Sequence, residues 1–239
     1  MLNVIRYADL GRFENDWLNA HYHFSFSEYH NPERMGLGLL RVVNDDIVAP
    51  GGGFDYHPHR DMEIITYVRQ GAITHRDNLG NIGRTAAGDV QVMSAGTGIV
   101  HAEDNREDEP TNLYQIWIHP REKGVKPRWE QRDFPKEPVR GALPLLVSGS
   151  REDAISGALY IHQDATIHGG RLAKGAKISH PVGEAAYLLV ADGEVEVGGH
   201  RLGKGDGLSA LDETGLAITA LSDAEVLVID VPPRKQAAA

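Results

Sequence analysis

The chain of 239 residues contains no cysteine. That excludes disulfides, thiolate nucleophiles and thiolate metal sites, and leaves histidine and carboxylates as its strong metal ligands. No stretch approaches the roughly 18 consecutive apolar residues that a membrane-spanning helix needs. The start, Met1 to Trp17, has no basic segment followed by an apolar one, so no secretion signal is read there and the cytoplasm is the expected compartment. Cations are scarce as well: 24 Lys and Arg stand against 34 Asp and Glu, for a formal net charge of −10. Such a balance argues against a mainly electrostatic nucleic-acid binder, which needs a concentrated basic face. Neither nucleic acid nor membrane is an expected partner. Long amphipathic helical patterns are missing too, and the Gly96-Thr97-Gly98 turn lacks the lysine of a phosphate-binding loop.

What the chain does have is short β-branched and aromatic runs separated by Gly, Pro, Asn and Asp. Leu37 to Val48 reads as a strand ending at a turn near Asn44-Asp45-Asp46. Gly53 to His59 and Glu63 to Val68 follow, then a hairpin at Gly71, a return over Ala72 to Arg76 and a turn at Asp77 to Asn81. Val90 to Met93 and Leu113 to Ile118 complete a first unit. Prolines at 120, 127, 135, 138 and 144 mark a surface linker. Beyond it, Leu145 to Ser148, Ala158 to His162, Tyr187 to Val190, Glu194 to Val197 and Val226 to Val231 read as strands, with Asp192-Gly193 as a hairpin turn. The expected fold is all-β in two halves, 1–130 and 145–233, joined by a Pro-rich linker at 131–144 and ending in a frayed tail at 234–239.

The halves repeat one another. Anchoring Gly71 on Gly193 carries His57 onto Ser179, His59 onto Pro181 and Glu63 onto Ala185. Anchoring Ser94 on Ser209 carries His101 onto Leu216 and Glu103 onto Ile218. The second copy then keeps the architecture and none of the polar groups that make the first copy chemically interesting.

Those groups are His57-Pro58-His59-Arg60-Asp61-Met62-Glu63 and His101-Ala102-Glu103. Residues i and i+2 of a strand share a face, so His57 projects with His59 and His101 with Glu103. Pro58 cannot donate to a ladder, which places this strand at a bend or a rim. Three imidazoles and a carboxylate facing one another would hold a metal ion. Glu63 lies four residues from His59 and could share its face, so geometry leaves Glu63 and Glu103 both open as the carboxylate. His21 and His23 form another His-x-His, read as part of a short strand whose histidines hydrogen-bond or face solvent. His75 either lines the same barrel or faces solvent. His119, His162, His168, His180 and His200 read as surface or capping residues.

Gly51, His57, His59, Glu63 and Gly71 resemble the first cupin motif, with one extra residue between Glu63 and Gly71. Gly88, Gly98, His101 and Asn105 resemble the second, with Ser94 where proline is usual. HPHRDMEIITYV, GDVQVMSAGTGIVHAE and the Phe24 to Tyr29 segment together are similar to the pirin family of bicupins. The resemblance implies two cupin-type β-barrels, with a metal site in the N-terminal barrel only. It also implies His57, His59, His101 and Glu103, rather than Glu63, as ligands. Fe(II) is the implied metal, with Mn, Ni, Co, Cu and Zn within reach of the same imidazoles.

Bacterial members of this look are quercetinases. The implied activity is therefore ring-cleaving dioxygenation of flavonols such as quercetin by O₂, giving a depside and carbon monoxide. Glu103 would be the catalytic base that takes the flavonol hydroxyl proton. The alternative the resemblance carries is a non-catalytic, redox-sensitive iron protein that binds a protein partner. A monomer is expected.

Overall fold

The computed structural model describes residues 1–234, so all but the first residue of the expected tail lies outside the described residues. The first half contains β1 (Leu2–Ile5), β2 (Gly11–Glu14), β3 (Leu18–Tyr22), β4 (Leu40–Val48), β5 (Gly53–His59) and β6 (Glu63–Gln70). It continues with β7 (Ala72–Asp77), β8 (Ile82–Ala86), β9 (Val90–Ser94), β10 (Ile99–Asp104), β11 (Thr111–Ile118) and β12 (Arg128–Arg132). The second half contains β13 (Leu145–Ser148), a short helix α1 (Arg151–Ile155), β14 (Leu159–Tyr160), β15 (Thr166–Leu172), β16 (Lys177–Pro181) and β17 (Ala185–Asp192). It closes with β18 (Glu194–Val197), β19 (His200–Gly203), β20 (Gly207–Leu211), β21 (Gly215–Ala220) and β22 (Ala224–Val231). No helix among the described residues is long and apolar enough to cross a membrane.

Each half is a barrel of one seven-stranded and one four-stranded sheet. The first combines β12-β9-β6-β11-β4-β3-β2 with β5-β10-β7-β8, and the second combines β1-β20-β17-β22-β15-β13-β14 with β16-β21-β18-β19. The two large sheets face each other across one shared core. Val43, Ile65, Tyr114 and Ile116 of the first barrel pack there with Tyr187, Leu189, Leu227 and Ile229 of the second. Period-two alternation makes this work: in β17, Tyr187 and Leu189 face the partner barrel, whereas Ala186, Leu188 and Val190 fill the second barrel's interior.

Matching hairpins confirm the repeat. Gly71 and Gly193 turn at φ of 70° and 73°, a backbone region that L side chains rarely adopt. β6 and β17 start on Glu63 and Ala185, the pair the alignment equates. β16, the counterpart of β5, is offset from that alignment, however. Ser179 and Pro181, onto which His57 and His59 were carried, are exposed, whereas Ile178 and His180 face inward. The second copy spends one more residue between its inward histidine and the next strand, and a one-residue slip exchanges the two faces. His180 is therefore buried rather than a surface group, and its ring lies 4.6 Å from that of His168. Among the described residues, the second barrel offers no cluster of three metal-ligating side chains.

Three further elements differ from the sequence reading. Asn44, Asp45 and Asp46 are not a turn: β4 runs straight through them, laddered to β3 on one side and β11 on the other. Their polar side chains are tolerated because Asp45 pairs with Arg69, while Asn44 and Asp46 enter the first barrel. β12 lies across the 130/131 division, pairing with β9 from Arg128↔Ser94 to Arg132↔Val90. β1 crosses over to the second barrel, where Leu2 opposes Ala210 and Ile5 opposes Gly207. Asp206 fixes that crossing by accepting from the Tyr7 backbone N–H at 2.8 Å and from Arg6 Nη1 at 2.7 Å.

Candidate metal centre

β5 and β10 are antiparallel neighbours that set His57 directly opposite His101 and His59 opposite Ile99. A β-bulge follows: beyond His101 the register slips, so that Glu103 opposes Phe54. Bulges bend a strand and re-aim its side chains. Here the bulge sits between two candidate ligands.

The structure brings His57, His59 and His101 together, each offering a ring nitrogen within 4.8 Å of the others. Their ring centroids are 4.5 to 5.0 Å apart. His57 Nδ1 donates to the Asp55 carbonyl at 2.7 Å, which leaves Nε2 as the nitrogen with a free lone pair. His101 Nε2 is buried with no hydrogen-bond partner among the described residues. Burial, with neighbouring imidazoles adding to it, lowers His59 to about 4 and His101 to about 2. Both rings are thus neutral at ordinary pH, with lone pairs available to a cation. A buried, unpartnered nitrogen aimed at two other neutral imidazoles fits a divalent transition metal.

Glu103 lies one step deeper, in a second cluster with His75 and His101. Gln91 Nε2 donates to its Oε1 at 2.6 Å, Thr66 Oγ1 donates to the same oxygen at 3.3 Å, and Gln115 Nε2 donates to Oε2 at 3.0 Å. Burial raises its carboxyl to about 7, against the pull of those hydrogen bonds. Glu63 is in neither cluster. It is fully buried, accepts from Ser94 Oγ at 2.7 Å, and leaves Oε1 without a partner among the described residues.

His75 belongs to the barrel interior. Its ring stacks on Trp129 at 4.8 Å, its Nε2 lies 3.0 Å from Asp77 Oδ2, and its Nδ1 lies 3.3 Å from His101 Nδ1. The i, i+2 spacing of His75 and Asp77 is the signal that could have placed both on one face. His21 and His23 stay out of both clusters. They contact Tyr7 OH at 3.0 Å and Tyr187 OH at 2.9 Å, so the hydrogen-bonding reading describes them.

A cavity of about 370 Å³ opens onto His57 and His59. Its walls are Trp17, Tyr22, Phe26, Phe54 and Trp117, with Asn44, Asp46 and Gln115 as polar members. Trp117 stands edge-on to His59 at 4.9 Å and Phe26 edge-on to Trp117 at 5.5 Å. Composition gave no hint of this chamber, because its aromatics come from β3, β5, β11 and the loop segments at residues 17 and 26.

The comparisons with known proteins agree with this architecture. Residues 5–118 match the Pirin family model, and residues 145–231 match the model described as quercetinase C-terminal cupin domain. A pirin-like protein of Caulobacter vibrioides is 52% identical over 96% of this chain and 99% of its own length. The quercetin 2,3-dioxygenase of Escherichia coli K12 is 41% identical, covering 98% of this chain and 100% of its own. The bacterial pirin of Escherichia coli crystallised in complex with nickel(II) superposes with a TM-score of 0.90 at 41% identity, over 98% of this chain and 100% of its own. With both barrels matched in order and relatives this close over nearly the whole length, the chain belongs to the pirin family of bicupins.

Proposed function

We propose that this chain is a divalent-metal-dependent dioxygenase that opens the central ring of flavonols such as quercetin. The observation that carries the reading is the aromatic chamber of about 370 Å³ ending on His57 and His59. Flat aromatic walls accept a flat polyphenol, and the imidazoles meet it at one end. His57, His59 and His101 would hold the metal, with Glu103 as fourth ligand; Fe(II) is the proposed ion. Bound there, the ion would supply Lewis acidity toward the flavonol's 3-hydroxyl and 4-carbonyl and the redox contact between substrate and O₂.

The protein's own groups do the rest. His59 and His101 stay neutral, so they donate lone pairs without first releasing protons. Glu103 would take the 3-hydroxyl proton on loosening from the ion and return it later in the cycle. Trp17, Phe26, Phe54 and Trp117 would flank the reacting ring with apolar surface. The overall balance is flavonol plus O₂ giving a depside plus carbon monoxide. The relatives named above as a quercetin dioxygenase and as a nickel-binding pirin support this reading. Aerobic incubation of the metal-loaded protein with quercetin should bleach the flavonol absorbance and release carbon monoxide. Intact flavonol after incubation with every ion from Fe(II) to Zn would refute it.

A further inference from the structure

Two of the first barrel's buried oxygens line its aromatic cavity and have no hydrogen-bond partner among the described residues. Asn44 and Asp46 share one face of β4, while Asp45 between them turns toward the second barrel and pairs with Arg69. Asn44 is 4% exposed and Asp46 2% exposed, and both line the aromatic cavity. Asn44 Oδ1 and Asp46 Oδ1 each lack a hydrogen bond among the described residues. Leaving one such group unpaired is costly, and two side by side in a cavity wall call for something that brings donors to them.

The surrounding chemistry says what kind of molecule does so. Trp17, Tyr22, Phe54 and Trp117 form flat apolar walls around the pair. Among the described residues no lysine or arginine lines the cavity, whereas Asp46 and Asp55 do, so an anionic ligand finds no countercharge there. A neutral aromatic ring bearing hydroxyl donors satisfies both the walls and the two oxygens.

We infer that Asn44 and Asp46 are specificity-determining residues that accept hydrogen bonds from ring hydroxyls of a polyhydroxylated aromatic ligand, apart from the hydroxyl presented to the imidazoles. This rests on the flavonol reading above and sharpens it: flavonols with several hydroxyls are bound in preference to 3-hydroxyflavone. A site built to pair with a hydroxyl discriminates against the analogue that lacks it, because its own buried groups are then left unpaired.

Anaerobic titration by tryptophan fluorescence, with metal-loaded protein, separates binding from turnover. Wild type should bind quercetin at least about tenfold more tightly than 3-hydroxyflavone. Asn44→Leu and Asp46→Leu, which keep the branching at Cγ but remove the polar atoms, should each cut that affinity ratio by about tenfold. Asp46→Asn retains an acceptor oxygen and should keep most of the ratio, which guards against a leucine variant that fails to fold. Equal affinity of wild type for the two flavonols, or an unchanged ratio in leucine variants that melt cooperatively, overturns this inference and leaves the flavonol reading intact. Failure of wild type to bind either flavonol overturns both.

Discussion

The Nδ1 atoms of His75 and His101 lie 3.3 Å apart at the buried end of the first barrel. Only one of two facing ring nitrogens can carry the hydrogen, and Asp77 decides which. Burial alone would raise the Asp77 carboxyl, but hydrogen bonds from His75, Asn81 and Leu79 hold it below the usual range, so it acts as an acceptor. His75 therefore donates from Nε2 and accepts at Nδ1 from His101, whose Nε2 lone pair then points at His57 and His59. Outer partners of this kind typically govern metal affinity by 10- to 100-fold. His75→Leu should weaken metal binding by about that factor in a competition with a chromophoric chelator, and Asp77→Asn should weaken it less. Wild-type affinity in His75→Leu would show that His101 needs no such orientation.

Metal uptake should depend on pH through Glu103. Its carboxyl sits near 7 in the metal-free protein because burial disfavours the charge. A cation is held by the carboxylate, so below pH 7 binding must first expel a proton, and Glu103 should cost up to about tenfold in affinity per pH unit. Above pH 7 that contribution vanishes. His59 and His101, near 4 and 2, add nothing over this range. Chelator competition from pH 5.5 to 8.5 should show the slope in wild type and a smaller one, on a weaker baseline, in Glu103→Gln. An identical slope in the variant would exclude Glu103 as the fourth ligand.

Glu63 bears on stability instead. Burial lifts its carboxyl to about 7, well above the ordinary glutamate value of 4.5. The folded state thus holds a proton that the unfolded chain gives up more readily. The associated stability is complete below pH 4.5 and lost as pH rises through 7, with a magnitude on the order of 3 kcal/mol. Glu63→Gln carries no charge to bury, so its melting temperature should exceed that of wild type by at least about 4 °C at pH 8. Near pH 4.5 the two should converge, and the variant should keep its metal. Parallel melting curves at both pH values would contradict the assignment.

Arg69 binds the two barrels through groups of both. It pairs with Asp45, lies 4.3 Å over the Tyr114 ring and donates to the Ala191 carbonyl at 3.3 Å. Arg69→Ala strands the Asp45 carboxylate in a buried site and should cost about 3–5 kcal/mol in urea unfolding. The double variant Arg69→Met with Asp45→Leu removes both charges and should recover most of that loss. No recovery would mean that the cost comes from lost packing on Tyr114.

The shared face of His57 and His59 was legible because strand alternation is local and needs only the i, i+2 rule; the bulge after His101, which sets Glu103 in the deeper cluster, was not. Asn44-Asp45-Asp46 was illegible because three polar residues in a row have the composition of a turn. What keeps them in a strand is remote: ladders on both edges of β4, Arg69, and a cavity walled by other strands. Function and local preference disagree at that triplet. The second barrel's ligand strand was misaligned by one position for a similar reason. Ser179 and His180 differ only in which face they show, and that is set by the length of the connection to β17. β1 and β12 were unreadable because their partners, β20 and β9, lie far off in the chain.

The crossing of Leu2–Ile5 onto Gly207–Leu211 makes a clasp between segments about 200 residues apart. β1 can be seated only after residue 211 has been made, so its docking is a late event in assembly. Severing the chain between the matched family segments would leave the second barrel without β1. The C-terminal fragment would present β20 as a bare edge, with unpaired backbone donors and acceptors open to any passing strand.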